Sequence, residues 1–385
     1  LSRKNKKISI IGAGASGISC ALILTKIGYD VTIYTKDKPF NKLVSSLFVS
    51  RYPAASIIPH SVTHPNVKTF FQNSLSFFDK LFTSEFPGLI VYKHYELFSD
   101  RKDIPFYYDQ MNKFQIIDRF DRNGIPNHPE ITLLSGWEFE CYFADWNLYF
   151  RALINEFEQL GGAIIEKEID HKTIPSNESD IIINCAEIHG PKIAGEKLNP
   201  VLYRGHLIHI KDAPYITDNK GTPISYNFTP PLNLYKSENG NPQDLYLYPR
   251  QDGWILGGSR QIGTLSNDGV WIGEEVIERS QDMNGSSFPR QILTLQQPII
   301  KETFGLDLDS YPNKTLKVGY RFMGNNSTGL RIDSEEKFGK LLIHNYGHGG
   351  AGVALSWGCA FKVASMVVKK TTDRDLELED LTSLF

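Results

Sequence analysis

The chain has little cysteine, no long apolar run and almost no net charge. Its 385 residues carry only four cysteines, Cys20, Cys141, Cys185 and Cys359. They lie far apart in apolar runs, without the close pairs that zinc sites and disulfide frameworks need. Buried free thiols in a reducing compartment are therefore expected, and no metal. No apolar stretch reaches the roughly 20 residues that span a bilayer, so no membrane partner is expected. Lys and Arg number 41 against 44 Asp and Glu, a formal charge of −3. That balance gives no electrostatic reason to expect nucleic acid or an anionic surface as partner. Internal repeats and low-complexity tracts are also absent. The basic start LSRKNKK runs directly into an apolar stretch, so no signal peptide is expected. The end, Ser383-Leu384-Phe385, is not a peroxisomal tripeptide, and cytoplasm is the default location. Nothing in the sequence speaks to oligomeric state.

What is present is ordinary for a soluble globular protein, with 41% hydrophobic and 22% charged residues. The length allows two domains with substantial cores. The strongest local signal runs from Ile8 to Tyr34. Ile8, Ile10 and Ile11 read as a buried strand, followed by Gly12-x-Gly14-x-x-Gly17 and a helix carrying Ala21, Leu22 and Leu24. Gly28 ends that helix, and Val31 to Tyr34 read as a second strand. This is a βαβ unit of the dinucleotide-binding kind. Gly12 permits the tight turn, Gly14 lets backbone approach a pyrophosphate, and Gly17 lets helix and strand pack closely. The helix N-terminus then offers free N–H groups to phosphate. The acidic residue that usually bonds the ribose is missing from the end of the second strand. Thr35 and Lys36 stand there, and Asp37 follows. Either Asp37 reaches back or Thr35 bonds the ribose hydroxyl. The motif alone does not separate FAD from NAD.

Further along, Ala54, Ala55 and Ser56 are small enough to let backbone pass close to a flat cofactor, or simply to let helices pack. Residues 66–82 have apolar spacing of a helix, and 88–118 alternate like strands. This region reads as part of a second, sheet-containing domain inserted into the first. A strand at 136–142 precedes a helix capped by Asp145 and stopped by Gly161-Gly162. Asp180 to Cys185 reads as a buried strand of parallel character. Residues 211–243 are rich in Pro, Gly, Asn and Ser and read as one long irregular segment. Strands at 245–249 and 254–258 flank a turn at Gln251-Asp252-Gly253, and a helical stretch follows at 289–304. Gly347-His348-Gly349-Gly350-Ala351-Gly352 then opens directly into a last helix from Val353.

Taken together, these stretches resemble the D-amino-acid oxidase family of FAD enzymes, in family order over most of the chain. The matching pieces are IIGAGASGIS at the start, AASIIPH at 54–60, NC at 184–185 and YRGHLI at 203–208. They continue with YLYP at 246–249, LGGSRQIG at 256–263, VGYR at 318–321 and IHNYGHGGAGVALSWGCA at 343–360. The last is the most specific. IIPH, YLYP and GGSRQ look closer to D-aspartate oxidases than to oxidases of neutral D-amino acids. The resemblance implies an α/β fold: a Rossmann-like FAD-binding domain with a second, sheet-containing substrate domain. The expected division is 1–65, 137–202 and 315–375 for FAD, and 66–136 and 203–314 for substrate.

The resemblance also implies roles. Gly12, Ala15, Ser16, Gly14 and Gly17 would hold the FAD pyrophosphate, with Thr35 and Lys36 near the ribose. Ala55, Ser56, Cys185 and Ala186 would pass close to the cofactor, and Gly347, His348, Gly349, Gly350 and Ala351 would line the flavin end. Arg321 matches the arginine that grips the substrate α-carboxylate, and Tyr246 a tyrosine sharing it. His60 and Arg260 match positions that hold the acidic side chain in D-aspartate oxidases. Tyr248 is a further substrate candidate on the strand face of Tyr246. A buried guanidinium needs a carboxylate partner, which suits Arg321. On residues alone, Arg321 reads also as the partner of a structural acid, Tyr248 as core, His60 as a loop histidine and Arg260 as a strand-end surface arginine.

Four positions depart from the family pattern. Glu187 stands where glycine is usual, FMGNNSTG follows VGYR, the 211–243 segment looks long, and Pro242 stands near an expected tyrosine. The implied reaction is oxidative deamination of a D-amino acid, acidic for preference, with dioxygen as oxidant and peroxide as product. Arg321 and Tyr246 would orient the substrate, and no side-chain base is needed. Three rivals stand beside it: a biosynthetic flavoenzyme for a larger or modified amino acid, an NAD-dependent dehydrogenase, and an FAD-binding module without activity.

Overall fold

The computed structural model describes residues 6–41, 47–122, 124–174, 178–197, 199–266, 268–275, 283, 287–325 and 328–385. The chain forms two compact units, and each is built from separated pieces of sequence. The first comprises Leu1–Leu89, Ala144–Leu202 and Arg321–Phe385, the second Ile90–Phe143 and Tyr203–Tyr320.

In the first unit the opening strand Lys7–Ile11 lies within a six-stranded sheet. The order is Arg331–Lys337, Lys340–Tyr346, Ile181–Asn184, Lys7–Ile11, Asp30–Thr35, Ala163–Glu166. All neighbours are parallel except the Arg331–Lys337 edge. Ile181–Asn184 is buried throughout, as a strand covered on both faces should be. The helix Ala15–Lys26 is buried from Ala15 to Leu24 because it packs on both Trp146–Gln159 and Ser356–Thr372. Asp145 occupies the N-cap position of Trp146–Gln159, though its side chain makes no capping bond.

The helix Val67–Thr83 belongs to this first unit, not to the second as the sequence division had it. The reason is one close approach. A Cβ at Gly358 would lie 1.9 Å from the Phe70 carbonyl oxygen, and the Gly358 N–H donates to Ser74 Oγ at 2.8 Å. Phe77 stacks on Trp357 at 5.3 Å. The last helix starts at Ser356 instead of Val353, because residues 352–355 form turns after the glycines. The edge strand Arg331–Lys337 is almost wholly polar, and its sequence carries no strand signal.

The second unit is built on a mixed sheet. Its order is Trp271–Gly273, Gln261–Leu265, Pro200–Ile210, Gly253–Gly257, Leu245–Arg250, Ile224–Thr229, Leu89–Phe98, Ser135–Ala144, Asn112–Ile116, with Lys314–Asn325 pairing beside Pro200–Ile210. The 211–243 stretch is therefore not one irregular segment. Ile224–Thr229 is an inner strand, parallel to Leu89–Phe98 and antiparallel to Leu245–Arg250. One sheet face carries Tyr95, Leu97, Tyr226, Phe228, Leu245 and Leu247, which pack with Ile292, Ile299 and Ile300 from the helices Gln291–Thr294 and Gln296–Phe304. By alternation the opposite face carries His94, Glu96, Ser225, Asn227, Tyr246 and Tyr248. All four cysteines are free and buried. Among the described residues no helix is long and apolar enough to cross a membrane.

Candidate active site

The turn after Lys7–Ile11 is shaped by glycine at two points. Gly12 has φ +106°, and a Cβ there would meet the Cys185 carbonyl oxygen at 2.5 Å. A Cβ at Gly17 would lie 1.9 Å from the Gly12 carbonyl oxygen. No side chain fits either place. Gly14 is different, since a Cβ there faces only Ser50 Oγ at 2.9 Å. Ser50 Oγ also accepts from the Ala15 N–H at 3.1 Å, at the opening of the helix. Ser50 lies in a stretch with no motif, and the sequence reading missed it. Ala15 and Ser16 are buried, and no acid stands in the helix's first turn. The helix end is thus electrostatically open to an anion. At the end of Asp30–Thr35, the buried Thr35 hydroxyl donates to the Asp37 carbonyl at 2.9 Å. The two ribose candidates are thereby tied into one turn. Lys36 pairs with Glu168 at 3.5 Å on the surface, where such pairs contribute little. Cys185 donates its N–H to Ile11, and Ala186 donates to Asn184 Oδ1 at 3.3 Å.

The same unit gathers three further candidate segments. Gly349 donates its N–H to the Phe322 carbonyl at 3.0 Å, and Gly350 to the Ser61 carbonyl at 2.9 Å. Arg321 precedes Phe322 and His60 precedes Ser61, so both candidates are brought to the Gly347–Ala351 turn. A Cβ at Gly349 would lie 2.1 Å from the Ser61 oxygen. The Gly347 N–H goes to Glu187 Oε2 and the Ala351 N–H to the His348 carbonyl. These four amides are satisfied within the protein. A rigid turn with few spare amides suits a flat ring better than a phosphate. Ala55 and Ser61 both have positive φ, at 65° and 55°, which is unusual for residues with a Cβ. His348 is buried, with Nδ1 on Glu187 and Nε2 3.1 Å from Asn345 Oδ1. Its imidazole is spent on contacts within the protein.

The second unit carries the other candidates. The Tyr246 ring lies over Gly257, where a Cβ would meet its Cζ at 1.9 Å. Its carbonyl accepts from Gln296 Nε2 at 2.9 Å, which fixes the strand. Tyr248 is buried and donates to Asn227 Oδ1 at 3.0 Å. Asn227 Nδ2 donates in turn to Glu96 Oε1 at 2.9 Å, which also lies 3.1 Å from His94 Nε2. This buried network escaped the sequence reading, although the alternation of Tyr92, His94 and Glu96 placed them on one face. Arg260 is ion-paired with Asp244, and its backbone N–H donates to Gln243 Oε1 at 2.6 Å.

The model of the FAD dependent oxidoreductase family known as DAO matches residues 7–366. The chain belongs to this family. A D-amino-acid oxidase from Dictyostelium discoideum is 24% identical over 366 residues, covering 93% of this chain and 90% of that protein. A D-aspartate oxidase from Homo sapiens is 23% identical over 380 residues, covering 94% of each. Among solved structures, iminodiacetate oxidase from Chelativorans sp. BNC1 is 16% identical with a TM-score of 0.61, covering 96% of this chain and 97% of that one. Glycine oxidase from Geobacillus kaustophilus is 14% identical with a TM-score of 0.60, covering 97% of each. These structural likenesses show an α/β fold of this kind, and the family match makes the chain an FAD-dependent oxidoreductase. The residues present fit the cofactor. Side chains are excluded at Gly12 and Gly17, the helix end lacks an acid, and the Ser50 hydroxyl stands at that helix end.

Proposed function

We propose that the protein oxidises D-amino acids to 2-oxo acids and ammonia, with dioxygen as the oxidant and hydrogen peroxide released. The observation that carries this is the seating of Arg321. Its strand neighbour Phe322 accepts from the Gly349 N–H at 3.0 Å, so the residue proposed to grip the carboxylate is next in sequence to one bonded to the glycine turn proposed for the cofactor. Bound FAD supplies a hydride acceptor for the substrate Cα–H. Arg321 forks onto the α-carboxylate and thereby orients that bond. For Tyr246, on the sheet of the second unit, the family resemblance supports a hydrogen bond to substrate. A neutral substrate amine assists with its lone pair, so no side-chain base is required, and the imino acid hydrolyses in water. The relatives named D-amino-acid oxidase and D-aspartate oxidase support the substrate class.

Within that class we favour D-aspartate and D-glutamate. His60 in the first unit and Arg260 in the second each offer a donor of the kind a side-chain carboxylate needs, as the resemblance to D-aspartate oxidases implies. A buried carboxylate without donors would be costly. Arg260 is already paired with Asp244, so the substrate carboxylate must share or displace that partner. The same pair, with the buried Glu96 on the Tyr246 face, favours a second reading: a larger or modified amino acid whose side chain donates hydrogen bonds. Peroxide release from D-aspartate, D-glutamate, D-alanine, D-lysine, glycine, iminodiacetate and the L-enantiomers separates these. Fastest turnover of an acidic D-amino acid supports the favoured reading. Faster D-lysine or D-alanine overturns the acidic preference, and silence on every compound overturns the oxidase.

A further inference from the structure

Glu187 holds a backbone conformation that residues with a Cβ rarely adopt, φ +44°. It follows the wholly buried strand Ile181–Asn184 and the Cys185 carbonyl that closes against Gly12. Its carboxylate is bound at both oxygens by the Gly347–Ala351 turn, more than a hundred residues away in sequence. Oε1 accepts from His348 Nδ1 at 2.6 Å, and Oε2 accepts from the Gly347 N–H at 3.1 Å. His348 is 1% exposed, and its Nε2 lies 3.1 Å from Asn345 Oδ1. Asn345 Nδ2 reaches Cys20 Sγ, on the helix that opens at the first glycine turn, at 3.3 Å. One run of contacts, Glu187–His348–Asn345–Cys20, therefore joins the two glycine turns at which the candidate cofactor residues gather, all within the first unit.

Glycine at position 187 would relieve the backbone. What glutamate adds is the carboxylate, and that carboxylate is spent on the turn. Charge-assisted bonds to an N–H and an imidazole are among the stronger and more directional contacts a protein makes. Gly347 itself cannot respond by repacking, since its φ is +85° and a Cβ there would meet the Gly329 oxygen at 2.5 Å.

The geometry points to Glu187 as a positioning residue that, through His348 and the Gly347 amide, holds the Gly347–Ala351 turn in the shape that receives FAD. This rests on the reading that the turn lies at the cofactor. The experiment uses full-length apoprotein of wild type, Glu187→Gly and Glu187→Gln. FAD affinity is read from quenching of flavin fluorescence. The melting temperature of each apoprotein and amide exchange over 347–351 are measured beside it. E187G is expected to melt close to wild type, to exchange its turn amides faster and to bind FAD roughly fivefold or more weakly, as loss of a charge-assisted bond implies. E187Q keeps one acceptor and should fall between. E187G binding FAD with a smaller loss overturns the proposal, because a merely structural tie would lower the melting temperature and leave FAD affinity intact. If E187G does not fold, E187Q decides: roughly twofold or more weakening supports the role, and less overturns it. Wild-type turn amides whose exchange FAD does not slow would remove the cofactor reading of the turn, and the proposal with it.

Discussion

At the scale of single residues, the structure turns sequence candidates into partners. Arg321 is expected to be the most costly substitution. Arg321→Leu should remove a charge-assisted pair of about 2–5 kcal/mol, lowering kcat/KM at least tenfold with FAD still bound. Normal kinetics in that variant would count against its role. His206 makes a separate prediction about acid stability. Burial, and then the Arg204 guanidinium, hold its pKa down at about 3. Its Nδ1 lies 2.7 Å from Ser259 Oγ. The unfolded imidazole titrates near 6.5, so below that pH the unfolded chain takes up a proton that the native state refuses. Stability should therefore fall by up to about 1.4 kcal/mol per pH unit from near 6.5 down to near 3, and the contribution is flat above 6.5. His206→Asn should show a smaller drop in melting temperature between pH 7 and pH 5 than wild type; an equal drop would refute the assignment. Glu187 was visible in the sequence as a departure, but its partners were not. Gly347 and His348 are about 160 positions away, and only the sheet, which sets Ile181–Asn184 beside Lys340–Tyr346, brings them within reach. Arg260 was legible as a cation, and its neutralisation by Asp244 was not.

At the scale of elements, periodicity carried most of the information, and the misses have physical causes. The βαβ unit stands where its glycines and isoleucines placed it, because local sterics at Gly12 and Gly17 decide it. The helix Val67–Thr83 was legible as a helix, but its owner was not. Its phenylalanines report that a face is buried and say nothing of against what. The answer lies in Gly358, which only the fold sets against Phe70. Ile224–Thr229 has clean alternation of Ile224, Tyr226 and Phe228, yet the Pro, Gly and Asn around it masked a six-residue strand. The helix contact is testable. Gly358→Ala puts a methyl 1.9 Å from the Phe70 carbonyl, which a rigid helix pair can relieve only by moving apart. Overpacking of this kind costs about 1–3 kcal/mol. The apoprotein of the variant should melt several degrees lower by calorimetry, roughly as such a cost implies in a large domain. An unchanged melting temperature would show that the two helices are not tightly held.

At the scale of the whole molecule, the division of labour follows from where the candidates fall. Every candidate cofactor residue, from Gly12 to Ala351, lies in the first unit, and its three segments are far apart in sequence. Tyr246, Tyr248 and Arg260 lie in the second, whose sheet has its own core. A ligand that binds only the native form stabilises what it binds by mass action, about 2.7 kcal/mol at a hundredfold excess over its dissociation constant. FAD should therefore raise the unfolding temperature of the first unit and act on the second only as far as the two unfold together. With two units a single transition is not assured, so the test needs probes that tell them apart. Trp146 and Trp357 report from the first unit, and Trp137, Trp254 and Trp271 from the second. Replacing either set with phenylalanine leaves tryptophan fluorescence to report on the other unit. Purified protein is expected to be yellow, and denaturation should release free FAD, since the fit at Gly12–Gly17 calls for no covalent bond. Titrating FAD into apoprotein should move the Trp146/Trp357 transition upward with the logarithm of FAD concentration, and the Trp137/Trp254/Trp271 transition by no more. A second-unit transition that responds more strongly than the first would place the cofactor's hold in the wrong unit. A colourless protein whose transitions ignore FAD would contradict the Gly12–Gly17 turn as a nucleotide cradle, whatever the fold resembles.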